Sequence, residues 1–454
     1  MTRTLLILAA WLSLQTALLA ADKPNIIFIV GDDMGYADVG FHGCKDIPTP
    51  HLDRLAAAGV QFTSGYVTGP YCSPTRAGLL TGRYQTRFGH EFNPGAGAEG
   101  MPISEQTIAN RLGAAGYKTA LIGKWHLGSQ PAMHPQSRGF QEFFGFLGGA
   151  HDYFDDKGIL RGQQPISEEA YLTDALGREA VSFIEKNKAN PFFLYLAFNA
   201  VHTPMQADDP RLKKFASIED KTRRTYAAMM SAMDDAIGLV LAELKDAGLE
   251  KNTLVCFISD NGGPTMPGVT VNGSVNTPLR GSKRTTLEGG VRVPYLISWP
   301  GTLEPGKFEQ PAIQLDLHAT ALAAAGIQFT PAMKLDGVNL LPHLRGETKT
   351  PPHDALYWRF GTQTAIRAGD YKLVRYDTTA DLDPNVPRTT SRPKLYDLKN
   401  DIGETKDLAA DMPDKVKELQ TKWDEWNKDN IAPAWGGGPA GKKGEGKKNK
   451  KKAE

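Results

Sequence analysis

Asn25-Ile26-Ile27-Phe28-Ile29-Val30, followed at once by Gly31-Asp32-Asp33, is the stretch on which the fold of this chain turns. An apolar run of strand length with no polar alternation suits a central parallel strand covered on both faces. Comparable runs recur at residues 117–122, 192–198, 253–259 and 293–298. Between them, helical patterns span residues 50–58, 104–115 (with Ser104 as N-cap), 171–186, 221–247 and 315–325. Strand and helix in alternation predict an α/β fold: a large doubly wound mixed sheet sandwiched by helices. After Thr350-Pro351-Pro352 the pattern changes to short strands at 355–360, 364–368, 371–376 and 394–397, then a helix at 413–428. This predicts a smaller C-terminal antiparallel sheet plus helix over residues 351–432, behind a main domain over 22–350.

The 454 residues are 41% hydrophobic and 23% charged, enough for one large core and a smaller companion. The formal charge of +1 conceals an asymmetry. Seven lysines and two glutamates lie beyond Gly441, and without them and Arg3 the body is near −5. That balance excludes a nucleic-acid footprint on the body. Residues 433–454, introduced by Gly436-Gly437-Gly438-Pro439, read as a disordered lysine-rich tail. Residues 1–21, with Arg3, an apolar stretch from Leu5 to Leu19 and then Ala20-Ala21, read as a signal peptide rather than a membrane anchor. The mature protein is therefore expected to be exported, periplasmic or extracellular, with no stable membrane span.

Two of the apolar strands end in carboxylates. Ligands gather at the carboxyl ends of parallel strands, so Asp32 and Asp33 can converge with Asp260 and Asn261 despite their separation in sequence. Four oxygen donors without a histidine or thiolate among them suit a hard cation, Ca²⁺ or alternatively Mg²⁺. Taken singly, each pair also reads as a helix cap or turn.

Cys72-Ser73-Pro74-Thr75-Arg76, continuing as Ala77-Gly78-Leu79-Leu80-Thr81-Gly82-Arg83, offers a cysteine where a helix begins. Pro74 suits the first helical position, which would put Cys72 at a helix N-terminus facing an anion. With Cys44 and Cys256 the cysteines number three, so at least one is free or modified, and Cys256 falls in a core strand. Gly123-Lys124-Trp125-His126-Leu127-Gly128, His202 in Val201-His202-Thr203-Pro204, and Lys283 in Gly281-Ser282-Lys283 complete a polar set.

Here the chain resembles the type I, formylglycine-dependent sulfatases of the alkaline phosphatase superfamily. The likeness rests on Cys-x-Pro-x-Arg with its Leu-Thr-Gly-Arg continuation and on Gly-Lys-Trp-His-Leu-Gly, and extends from about Lys23 to Leu408. In look it is near the arylsulfatases and the N-acetylgalactosamine-6-sulfatase-like carbohydrate sulfatases.

The resemblance implies a sulfuric ester hydrolase in which a maturation enzyme oxidises Cys72 to formylglycine. One hydroxyl of the aldehyde hydrate attacks sulfur and the other drives sulfate out. Asp32, Asp33, Asp260, Asn261 and residue 72 would hold the metal. Arg76 and Lys124 would steady the hydrate, His126 would act as base, and His202 and Lys283 would bind sulfate and protonate the leaving alcohol. A sulfated carbohydrate is the implied partner. The stretch from Phe146 to Phe154, with His151, reads either as a sugar-binding rim or as packing, and Tyr357, Trp358 and Arg359 as cleft lining or core. Two alternatives stand beside this: a phosphate or phosphonate ester hydrolase, and a catalytically idle carbohydrate-binding protein.

Overall fold

β1 (Asn25–Gly31) is buried at every position in the computed structural model, which describes residues 23–436 apart from 96, 98 and 383–388. Both of its faces are covered, which is why the run has no polar alternation. Ile27 and Ile29 join one core with Leu194, Leu196, Met229 and Met233, while Ile26, Phe28 and Val30 join a second with Leu79, Leu112 and Leu322. Each fully buried aliphatic side chain contributes about 1.5–3 kcal/mol.

α1 (Pro50–Ala57) leads into the short strands β2 (Val60–Phe62) and β3 (Gly65–Tyr66), and α2 (Cys72–Thr81) and α3 (Ile108–Ala114) follow. Next come β4 (Lys118–Lys124), β5 (Glu142–Phe146), β6 (Leu160–Arg161), β7 (Gln164–Pro165), α4 (Leu172–Asn187) and β8 (Phe192–Ala197). The long α5 (Lys221–Asp246) precedes β9 (Thr253–Ser259), β10 (Tyr295–Ser298), β11 (Gly306–Phe308), β12 (Ala312–Ile313) and α6 (Leu315–Ala324). The main sheet has ten strands in the order β11-β2-β10-β9-β1-β8-β4-β5-β6-β7. From β9 to β5 the pairing is parallel, and β10 joins β9 antiparallel. The five parallel strands therefore deliver their carboxyl ends to one side.

A second sheet of four antiparallel strands follows: β13 (Leu356–Phe360), β14 (Gln363–Ala368), β15 (Tyr371–Arg375) and β16 (Lys394–Asp397). α7 (Pro413–Asn427) covers it, inserting Leu419 among Ile366, Leu373 and Leu395. Trp358 is wholly buried and donates from Nε1 to the carbonyl of Val67, and Tyr357 stacks on Trp426 with centroids 4.9 Å apart. Arg359 pairs with Glu91 at 2.7 Å. Trp358 and Arg359 hold the second sheet against the main domain and Tyr357 holds α7 on that sheet, so packing rather than cleft lining accounts for them.

Two local expectations are corrected. The helix expected from Ser104 starts at Ile108, because Thr107 forms a reciprocal capping box with Asn110 and the chain turns between Pro102 and Glu105. Pro74 lies at the third position of α2, not the first, since Tyr71 is the N-cap. Its missing N–H is harmless there, because that turn's donors have no intrahelical acceptor. The signal-peptide reading and most of the tail reading, from residue 437 on, fall outside the described residues. Among the described residues no helix is long and apolar enough to cross a membrane.

Gly123 lies opposite Ala197 on β8 with φ 114°, and a Cβ there would stand 1.9 Å from the Ala197 carbonyl oxygen. Gly123→Ala is expected to cost more than about 2 kcal/mol through strain and displacement of the adjoining strand. A denaturant midpoint equal to the wild type would contradict this reading.

Candidate active site

Backbone hydrogen bonds first fix the turns at the strand ends. Past β1, the N–H of Asp32 donates to the carbonyl of Ala200, and the N–H of Val201 donates back to Asp32. Past β9, the N–H of Asp260 donates to the carbonyl of Gly31. Adjacent strands thus hold Asp32, Asp33, Asp260 and Asn261 in one place. The N–H of Asp33 reaches Asp260 Oδ1 at 3.3 Å, and Asn261 Nδ2 donates to Asp33 Oδ1 at 2.7 Å. Asp33 has φ 61°, the left-handed conformation that aspartate tolerates better than most residues.

α2 brings its first turn to this cluster. Cys72 Sγ lies 3.6 Å from Asp32 Oδ1. One helical turn on, Arg76 donates from Nε and Nη2 to Asp260 Oδ2 at 3.0 and 2.8 Å, and from Nη1 to the carbonyl of Lys124. Lys124, at the end of β4, donates to Asp32 Oδ2 at 2.5 Å. Lys283 donates to Asp33 Oδ2 at 2.7 Å, and His202 Nε2 lies 3.5 Å from the same oxygen. His126 is held with φ 60° and its Nδ1 is buried without a hydrogen-bond partner among the described residues.

The structure brings together Cys72, Arg76, Lys124, His202, Lys283 and the four oxygen-bearing residues; His126, two residues past Lys124, takes its place through the contacts of its backbone. His151 engages its own loop: its ring nitrogens face the carbonyls of Asp152 and Lys157 at 2.6 and 3.2 Å.

Three carboxylates face three fixed cations, almost all fully buried. Burial works against a charged Asp32, but Lys124, His202, Arg76 and Lys283 outweigh it and hold the carboxyl well below the usual range. Burial raises the pKa of Asp260, and its proximity to Asp32 adds to the rise. Burial, reinforced by Asp260, pushes the Cys72 thiol up, so an unmodified cysteine here stays protonated and is a weak nucleophile. Burial and the charges of Lys124 and Arg76 keep His126 neutral.

Ligand atoms of Asp32, Asp33, Cys72 and Asp260 all lie within 4.8 Å of one another. Asn261 Oδ1 is a buried acceptor with no donor among the described residues. Carboxylate and amide oxygens in this arrangement fit a hard divalent cation. With such a cation the site would carry net positive charge, suited to an anionic group next to residue 72.

Sequence reasoning missed the support behind Cys72. Ser73 Oγ donates to the carbonyl of His126 and contacts His90 Nε2, both at 2.6 Å, and Ser73 N–H donates to Asn93 Oδ1. Trp435 packs edge-on against His90 and donates from Nε1 to the carbonyls of Phe92 and Asn93. The serine inside the cysteine motif was the one available signal.

The Sulfatase family model matches residues 24–327, and a model described as N-sulphoglucosamine sulphohydrolase, C-terminal, matches 281–429. The chain is 36% identical to N-acetylgalactosamine-6-sulfatase of Mus musculus over 383 residues, 78% of this chain and 72% of the relative. It is 36% identical to arylsulfatase A of Bos taurus over 455 residues, 90% of this chain and 87% of the relative. The crystal structure of Ps i-CgsB in complex with k-i-k-neocarrahexaose superposes with a TM-score of 0.83 at 38% identity, covering 91% of this chain and 95% of that one.

Proposed function

The chain belongs to the sulfatase family, hydrolases of sulfuric esters on an alkaline phosphatase-like α/β fold, and from that premise we propose that it removes sulfate from a sulfated carbohydrate through a modified Cys72. The observation that carries this reading is the placing of Cys72 Sγ 3.6 Å from Asp32, inside a ring of three carboxylates and three cations. Formylglycine at position 72 would supply a hydrated aldehyde with two hydroxyls, one to attack sulfur and one to expel sulfate. Asp32, Asp33, Asp260 and Asn261 would hold a divalent cation, Ca²⁺ or Mg²⁺, which polarises sulfate oxygens when bound.

The chain's own groups have separate tasks. Arg76 and Lys124 steady negative charge at residue 72. His126, kept neutral, accepts the proton whose loss triggers elimination. His202 and Lys283 grip the sulfate, and one of them protonates the departing alcohol. The names of the relatives, an N-acetylgalactosamine-6-sulfatase and a protein bound to neocarrahexaose, support a carbohydrate sulfate as substrate. His151 belongs to the sugar side of this reading. The phosphate or phosphonate alternative is not favoured, since relatives at this identity are sulfatases.

We also infer a signal peptide over 1–21 and export to the periplasm or cell exterior, a catalytic domain over 22–350, a C-terminal subdomain over 351–432 and a lysine-rich tail beyond it.

The tryptic peptide over residues 55–76, from protein made in its own host, is expected to be about 18 Da lighter than the thiol form, the difference between a thiol and an aldehyde. Finding only the thiol in protein that releases sulfate would overturn the mechanism. Finding only the thiol in inactive protein would leave an idle carbohydrate-binding protein.

A further inference from the structure

Arg284 directly follows Lys283 and has φ 72°, a conformation that favours glycine. The backbone there is fixed from two sides: its N–H donates to the carbonyl of Pro70 at 2.7 Å, and its own carbonyl accepts from Gln363 Nε2 at 2.8 Å. Pro70 is two residues before Cys72, so the root of the Arg284 side chain is tied to the segment that leads into the reactive position.

The guanidinium is exposed and stands over Tyr71, 5.9 Å from the ring centroid; Lys283 Nζ stands over the same ring at 5.5 Å. Tyr71 is the N-cap of the helix that begins with Cys72. One aromatic wall therefore carries two cationic heads, one turned inward to Asp33 and one outward to solvent. Among the described residues Arg284 makes a single polar side-chain contact, from Nη1 to the carbonyl of Gly268 at 3.3 Å. Among the described residues it forms no ion pair, whereas the exposed Arg161 and Arg178 each pair with a glutamate. A guanidinium without a carboxylate, braced on an aromatic face beside an anion site, is suited to bidentate recognition of a second oxyanion.

We propose that Arg284 is a specificity residue that binds a second anionic group, a sulfate or a carboxylate, on the sugar next to the one whose sulfate is removed. This rests on the sulfatase reading and extends it: the preferred substrate is a polyanionic oligosaccharide rather than an isolated sulfate monoester.

The test compares aldehyde-bearing wild type, Arg284→Gly and Arg284→Lys on three disaccharides. One has a single sulfate, one has a second sulfate on the neighbouring sugar, and one has a uronate as that neighbour. Arg284→Gly is expected to raise KM on one of the two doubly anionic substrates at least about tenfold more than on the monosulfate, the loss of one charge-assisted contact, with kcat changed much less. Which of the two responds tells sulfate from carboxylate. Arg284→Lys recovers part of the loss, and the discrimination narrows as salt rises.

Glycine suits φ 72°, so Arg284→Gly is expected to melt no lower than the wild type. Equal KM changes on all three substrates, or none on any, would overturn the proposal. If the wild type releases no sulfate from any of them, the sulfatase reading itself fails, and calorimetric binding of the same disaccharides still decides the role of Arg284.

Discussion

Cys72→Ala is expected to lower sulfate release by about 10⁴-fold or more, while reducing stability by only about 1 kcal/mol. The side chain is wholly buried but small, so its removal leaves a modest cavity. The catalytic loss is of a different order, because among the described residues Cys72 is the one thiol or hydroxyl side chain in the ring formed with Asp32, Arg76, Lys124 and Asp260. Initial rates on an aryl sulfate, with a melting curve of the same preparation, separate the two effects. More than one hundredth of wild-type turnover in the alanine variant would remove Cys72 from the mechanism.

Lys372→Met is expected to destabilise the fold by about 3–5 kcal/mol without touching the site chemistry. Lys372 is fully buried on β15, 2.8 Å from Glu288 and 3.0 Å from Glu404. Its loss leaves two buried carboxylates: Arg292 and Arg367 still partly offset Glu288, while Glu404 keeps the N–H of Glu288 as a donor. Burial works against Glu288, yet Lys372 and Arg292 hold it below the usual range; Glu404, with burial and Glu288 both opposing its charge, is raised.

The raised folded pKa of Glu404 sets the sign. Its contribution is fully present below the unfolded glutamate pKa and is lost as pH rises through the folded one. Lys372 lowers both carboxylates, so its removal raises both folded pKa values and takes away the stability that ionised Glu288 gains above the unfolded glutamate pKa; the damage in Lys372→Met should deepen from acid toward pH 8, and adding Glu404→Gln should recover part of it. Denaturant midpoints of both variants across that range measure this; a pH-independent loss would refute the ion-pair account.

Long buried strands were legible because both of their faces are covered: 253–259 matches β9 residue for residue, and β1 and β8 differ from their expected spans by one residue. β3, β6, β7 and β12, at two residues each, are too short for any periodicity, and only their pairing defines them. Competing local chemistry misplaced the start of α3, where Ser104 and Thr107 are both capable caps and only Thr107 has Asn110 three residues on. The residues that now surround Cys72 were readable as strand-end and motif positions. Ser73 was readable only as part of the motif, and Asn93 and His90 not at all, because their role comes from contacts between distant segments. Arg284 carries no sequence signal beyond its neighbour Lys283; its left-handed backbone and lack of an acidic partner are visible only in three dimensions.

The contact of Trp435 with Asn93, and of Asn93 with Ser73, also sets a clock. A ribosome delivers Cys72 long before Trp435, and at about 5–20 residues per second the interval is on the order of 20–70 s. Until Trp435 arrives, the loop that fastens Ser73 lacks its clasp. In the folded chain the thiol is sealed from solvent. Any enzyme that rewrites Cys72 therefore competes with folding during that interval, and slowing synthesis or delaying closure should raise the fraction of chains that leave it altered.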